Sequence, residues 1–285
     1  MPITLNDVSY TYAPGTAYAA GALDRVNLSI GDGEFVGIMG KTGCGKSTLI
    51  QIIAGLLNPT VGTVLVDGQD INAKDYDRTQ LRRRVGVVFQ HPEYQLFETT
   101  VERDVAFGLK HFGWSADQVQ EAVREALEAV GFDYEAVRGQ SPLSFSGGEK
   151  RRIAIAGVLA AKPGILILDE PIAGLDPLGR EAFLKLLDAL NLQGTTILMI
   201  SHNADAIAEH ADRVLVLEQG RILTDGSAGA VFARRQFLRD HGIGVSQARE
   251  IAGLLQDRGL ALPEDTVRYD QLLPRLIAIG KGETV

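Results

Sequence analysis

Apolar residues in this chain come in short runs bounded by glycine, proline and polar clusters, and these runs alternate with stretches where apolar positions recur at helical spacing. The runs predict strands at Glu34 to Met39, Thr63 to Val66, Val85 to Phe89, Ile165 to Asp169, Thr196 to Ser201 and Arg213 to Leu217. The last turns through Glu218-Gln219-Gly220 into Arg221 to Thr224, a hairpin pattern. Lys46 to Leu57 reads as a helix, with Leu49, Ile50, Ile53 and Leu56 on one side. Strands alternating with helices imply an α/β domain built on a largely parallel sheet.

Between Phe89 and Ile165 the pattern is helical. Ser115 and Gln118 form a capping box, after which Val119, Val123, Leu127 and Val130 recur on one face. Residues of about 91–162 therefore read as a helical subdomain inserted into the α/β core, within a domain spanning 1–226. From about Ser227 onward strand-like alternation stops. Gly229 to Asp240 and Ser246 to Asp257 read as helices, and 227–285 reads as a separate small helical C-terminal domain.

The composition suits a globular protein with a sizeable core: 285 residues, 45% hydrophobic and 22% charged. A net charge of -8 argues against a protein whose main task is gripping nucleic acid, which needs a basic face. Two basic clusters, Arg82-Arg83-Arg84 and Lys150-Arg151-Arg152, read as solvated faces. Cys44 is the single cysteine, so no intrachain disulfide forms and a reducing compartment is expected. The start of the chain lacks the pattern of a secretory signal, and no apolar run approaches a membrane span. A soluble protein that meets membranes only through partners is expected.

Candidate chemistry begins at Gly40-Lys41-Thr42-Gly43-Cys44-Gly45-Lys46-Ser47, which fits G-x-x-x-x-G-K-[ST] between a predicted strand and helix. The glycines let successive backbone amides point inward, and the helix N-terminus adds its positive end, as a triphosphate requires. Lys46 is expected to reach the outer phosphates and Ser47 to ligate Mg²⁺, with Thr48 beside it in the cofactor site. Cys44 is expected to be a small filler in the loop. Asp169 ends a buried strand and can hold the metal through its water shell. Glu170, one residue on, is expected to polarise the attacking water as general base. Asp176-Pro177 marks a helix start, with Asp176 as N-cap.

In this order along the chain, these motifs and Phe145-Ser146-Gly147-Gly148-Glu149 resemble the ATP-binding subunit of ABC transporters over residues 1 to about 226. The resemblance implies a P-loop ABC ATPase core of class α/β, with a mixed β-sheet and an inserted helical subdomain. It also implies ATP and Mg²⁺ as cofactors, and two ATPase subunits closing face to face. Each ATP would lie between Gly40 to Ser47 of one subunit and the signature residues Ser146, Gly147, Gly148 and Glu149 of the other. Gln90 would be the Q-loop glutamine, with catalytic and metal-binding roles, and His202 the switch histidine. Ala173 to Asp176 would be the D-loop at the dimer contact. Tyr12 would stack on adenine, with Tyr10 on the same strand face as the alternative. The signature departs from its commonest form at Phe145 and Glu149. Because a carboxylate facing a triphosphate would be repelled, Glu149 is expected to point along its helix or toward the partner.

Gln90-His91-Pro92-Glu93-Tyr94-Gln95-Leu96-Phe97-Glu98, followed by Asp104-Val105-Ala106-Phe107-Gly108, looks like the ATPases of energy-coupling factor transporters, importers of vitamins or cobalt and nickel ions. The resemblance implies that this segment grips the integral membrane T component at the cytoplasmic face of the membrane. A substrate-binding S component would be contacted only indirectly. It also implies that 227–285 helps paired ATPases, identical or related, stay associated. Leu96 and Phe97 in a polar loop suggest a covered surface, and packing within the helical subdomain is the alternative. Two other readings stand beside this one: a soluble ABC ATPase acting on nucleic acid or ribosomes, and the ATPase of another ABC importer family.

Overall fold

The computed structural model describes residues 3–260 and 262–281. Its centre is a six-stranded sheet in the order Arg221–Ser227, Arg213–Glu218, Phe35–Met39, Thr196–Ile200, Ile165–Asp169, Val85–Val88. All neighbours are parallel except the antiparallel hairpin at one edge. Three of the strands, Phe35–Met39, Ile165–Asp169 and Thr196–Ile200, are buried at every position, which accounts for their continuous apolar runs. A second, antiparallel sheet orders Ala20–Ile30, Ile3–Tyr12, Val61–Val66 and Gln69–Asp70.

The helix Lys46–Ile53 lies between the sheets, packing Leu49, Ile50, Ile52 and Ile53 with Ile3 and Leu5 of the antiparallel sheet and Ile38 and Ile165 of the parallel one. It stops before Leu57, because Gly55 takes a left-handed φ of 68° immediately after it. The opposite face of the parallel sheet is covered by helices that include Val101–Ala106, Ala116–Ala129, Gly147–Leu159 and Pro177–Leu192. The expected capping box is present at Ser115 and Gln118, and the helix behind it buries Val123 and Leu127.

In the C-terminal segment the helix expected over Gly229 to Asp240 is broken at Arg234 into Ala228–Ala233 and Arg235–Asp240. Arg234 has a φ,ψ of -78°, 46°, outside the helical region. Gln247–Gln256 forms with Ser246 as its N-cap, and a further helix, Tyr269–Gly280, runs through Pro274. Both helices begin on carboxylates of the short helix Ala204–His210. Asp205 accepts from the Gln247 amide at 2.7 Å and Glu209 from the Tyr269 amide at 3.1 Å. Among the described residues no helix is long and apolar enough to cross a membrane.

Candidate active site

Parallel pairing sets the carboxyl ends of three buried strands side by side, with Asp169 opposite Ile200 and the strand of Met39 next to that of Ile200. The residues that follow those strands therefore share one rim, where ligands of open α/β sheets bind. A cleft of about 420 Å³ opens there, lined by Gly43, Lys46, Ser47, Asp169, Glu170 and His202, with Tyr12, Thr48 and Gln90 at its sides.

Local conformation explains the loop. Gly40, Gly43 and Gly45 all have positive φ, and a Cβ on Gly40 would collide with the Leu217 carbonyl and the Cys44 Sγ. Cys44 is a buried filler beneath the loop, as expected. Lys46 is also buried, and its Nζ donates to the Gly40 carbonyl at 2.6 Å and the Lys41 carbonyl at 3.0 Å, curling the loop around its ammonium. Thr42 lines the same cleft. The Lys41 side chain leaves it and lies against Gly242 of the C-terminal segment.

The Ser47 hydroxyl donates to Asp169 Oδ2 at 3.0 Å. A hydroxyl and a carboxylate held this way are the hard oxygen donors that suit Mg²⁺, and few protein ligands are needed when phosphates supply the rest. Glu170 sits next to them in a left-handed conformation, φ 51°, unusual for a residue with a Cβ. Its Oε1 lies 3.5 Å from His202 Nε2. Burial pushes the Glu170 carboxyl above its ordinary range, His202 and Lys46 hold it down, and Asp169 pushes it up. A carboxylate poised upward beside a histidine suits proton abstraction from water near neutral pH.

Tyr12 and Tyr10 meet edge to face with centroids 4.8 Å apart, but their surroundings differ. Tyr10 packs against the core, whereas the Tyr12 ring is exposed at the cleft and its hydroxyl is 3.0 Å from Thr48 Oγ1. Of the two, Tyr12 has the face available to a base.

The signature residues do not join this cleft. Ser146, Gly148 and Glu149 line a different one with Leu175 and Asp176. Ser146 caps the helix Gly147–Leu159, and Glu149 folds back onto it instead of pointing along the helix or outward. Glu149 Oε2 accepts from the Ser146 hydroxyl at 2.7 Å and the Ser146 amide at 2.9 Å. Those two bonds hold the Glu149 carboxyl below its usual range. The pattern Ser-x-x-Glu before an apolar helix is a legible capping-box signal, and it explains the geometry on local grounds.

Two further expectations resolve differently within each segment. Leu96 is buried in the core beside the helical region, while Phe97 and Tyr94 stay exposed, with Phe97 edge-on to Phe107 at 4.8 Å. In the basic cluster Lys150-Arg151-Arg152 the solvated reading fails for Arg151, which is 4% exposed. Its guanidinium is drawn inward by backbone carbonyls, a tertiary cause with no signal in the local sequence.

The model of the family described as ABC transporter matches residues 23–173. An energy-coupling factor transporter ATP-binding protein EcfA2 of Symbiobacterium thermophilum is 48% identical over 282 residues, covering 99% of this chain and 98% of its own. The protein of the same description from Clostridium perfringens is 42% identical over 280 residues, covering 98% of each chain. Among solved structures, cbiO1 of Clostridium perfringens, part of the ABC transporter complex cbiONQ, is similar with a TM-score of 0.73 at 35% identity, over 89% of this chain and 98% of that one. A dimeric ATP-binding cassette in a post-hydrolysis state with ADP and Pi bound is similar with a TM-score of 0.71 at 32% identity, over 79% of this chain and 98% of that one.

Proposed function

The chain belongs to the ABC transporter family, among the ATP-binding proteins of energy-coupling factor transporters, and on that premise we propose how its residues divide the work. It is an ATP-hydrolysing subunit, and its ATP lies between two subunits. The observation that carries this division is the separation of the two clefts, with Lys46, Ser47, Asp169, Glu170 and His202 around one and Ser146 to Glu149 on another. Each half lacks what the other offers. A second ATPase subunit, whether a copy of this chain or a related one, brings the signature of one against the phosphate loop of the other.

Lys46 and the loop amides bind the phosphates, Ser146 and the amides of Gly147 and Gly148 complete the donor shell from the opposite subunit, and Tyr12 takes the adenine. Ser47 and Asp169 would hold Mg²⁺, with Gln90 at the edge of the same cleft, and the ion would supply charge neutralisation on the phosphates. Glu170 accepts a proton from the attacking water at its Oε atoms, and His202 orients that carboxylate from 3.5 Å. The exposed Tyr94 and Phe97 receive an integral membrane T component, which keeps the subunit at the cytoplasmic face of the membrane, and import of a vitamin or transition-metal ion follows through that component and its S partner. Residues 227–285 serve as a pairing domain, on which Leu254, Leu273 and Ile277 remain exposed.

The test is Glu170→Gln in the complex assembled with its membrane subunits. Turnover should fall on the order of a hundredfold or more, the scale of a general base, while ATP binding persists. Hydrolysis and uptake near the wild-type rate would remove Glu170 from this role.

A further inference from the structure

Arg151 is a buried guanidinium that the division of labour above leaves without a task. It lies in the helix Gly147–Leu159 behind the signature, 4% exposed. Its Nη1 donates to the Ala173 carbonyl at 2.6 Å and its Nη2 to the Glu170 carbonyl at 2.7 Å. These two carbonyls bracket the turn that leaves the central strand at the candidate base. Glu170 has a φ of 51°, a conformation that persists only where the surroundings over-determine it. Arg151 grips this turn through two carbonyls, while the Glu170 amide donates to the Ile200 carbonyl at 3.0 Å. The planar fork of arginine holds two acceptors at a fixed spacing through two separate nitrogens, whereas a lysine would have to reach both from one point on a flexible stem.

One nitrogen of the guanidinium is left over. Arg151 Nε is buried and has no hydrogen-bond partner among the described residues, and the same holds for Glu93 Oε2. Glu93 lies on the 3-10 helix Pro92–Gln95, which packs directly on the helix of Arg151. Burial lowers the proton affinity of Arg151, and the carboxylates of Glu93 and then Glu170 act against it. Glu93 is half-buried and its Oε1 meets His91 Nδ1 at 3.1 Å, so the unmade bond is that of Oε2. Buried polar atoms of opposite charge that each lack a partner are costly, and a small shift of either element changes that cost.

We propose that Arg151 is a positioning residue that joins Glu93, on the segment facing the membrane subunit, to the backbone of Glu170 and Ala173, so that displacement of residues 92–95 reaches the base. This rests on the reading that Glu170 is the general base and that the Gln90 to Phe97 segment meets the membrane subunit. It gives the basic cluster a role within the chain, connecting the signature helix, the catalytic turn and the coupling segment.

The experiment measures kcat and KM for ATP in the full complex with membrane subunits, for Arg151→Lys, Glu93→Gln and the double variant, beside Glu170→Gln. Arg151→Lys should lower kcat about tenfold with KM within about twofold, the signature of an interaction that acts on the transition state and not on binding. Glu93→Gln should lower kcat less, and the double variant should fall no further than Arg151→Lys, since residues acting as one unit are not additive. An unchanged kcat in Arg151→Lys, an equal rise in KM, or additive losses would each overturn the proposal. Arg151→Met is the harsher change, and if it does not fold the lysine and Glu93 variants still decide. Hydrolysis surviving Glu170→Gln would instead remove the general-base reading. Loss there with a normal Arg151→Lys enzyme would remove only the role of Arg151.

Discussion

The phosphate-loop half of the ATP machinery is finished within one chain, whereas the signature half is occupied with itself. Lys46 is buried and already ringed by carbonyls, Ser47 is bonded to Asp169, and Glu170 faces His202. Ser146, by contrast, is exposed, and its hydroxyl is given to Glu149 of its own helix. On the division proposed above, one half can therefore take nucleotide without a partner. The other must surrender an existing hydrogen bond before its hydroxyl can reach a phosphate held by another subunit.

The largest break in that contrast comes from Lys46→Ala. Truncating one member of a buried charge pair costs about 3 kcal/mol or more, so ATP affinity of the isolated chain should fall on the order of a hundredfold. Equilibrium binding of a fluorescent ATP analogue checks it, and near-normal affinity would mean that the loop is not the prepared half. Ser146→Ala should act in the opposite sense. Loss of one donor to developing phosphate charge lowers kcat of the assembled pair by about a hundredfold, while binding to the isolated chain stays unchanged. The same change removes a helix cap, so thermal unfolding should report a loss of about 1 kcal/mol, small enough that the protein still folds. A weakened affinity in the isolated chain would show that the two halves are not separate.

The difference between the halves also explains what could be read in advance. The phosphate loop, Asp169, Glu170 and the central strands were legible because each rests on a local pattern: glycine spacing, or an apolar run ending in carboxylates. The strands Ile3–Tyr12 and Ala20–Ile30 were not among those read from the sequence, since Asp7 and Arg25 interrupt them with positive φ of 54° and 48°. Tyr269–Gly280 contains Pro274, which locally argues against a helix, and the tail is anchored by contacts far away in sequence, Asp205 and Glu209 at its helix starts and Phe232, Leu238 and Val267 in the core. Arg151 was read as solvated because nothing beside it reveals that the carbonyls of Glu170 and Ala173 will fold over it. What depends on one turn meeting another is invisible until the chain is folded.

Glu149 provides the smallest and most discriminating change. A carboxylate accepting the Ser146 hydroxyl makes a charge-assisted bond, stronger than the bond a neutral amide would make. Glu149→Gln keeps an oxygen that can accept from the Ser146 amide, so the helix start survives, but the hydroxyl is released more readily and a negative charge leaves the path of the incoming triphosphate. The KM for ATP of the assembled pair should fall by about threefold, with affinity of the isolated chain unchanged. Because the Ser146 hydroxyl and amide hold the Glu149 carboxyl below its usual range, it stays ionised throughout the neutral range. Its effect fades only as pH falls through that lowered value, where protonation loosens the same bond. The KM ratio of variant to wild type should therefore be flat across neutral pH. A ratio of one, or a ratio that changes near neutrality, would mean that the self-made cap does not hold back the signature half.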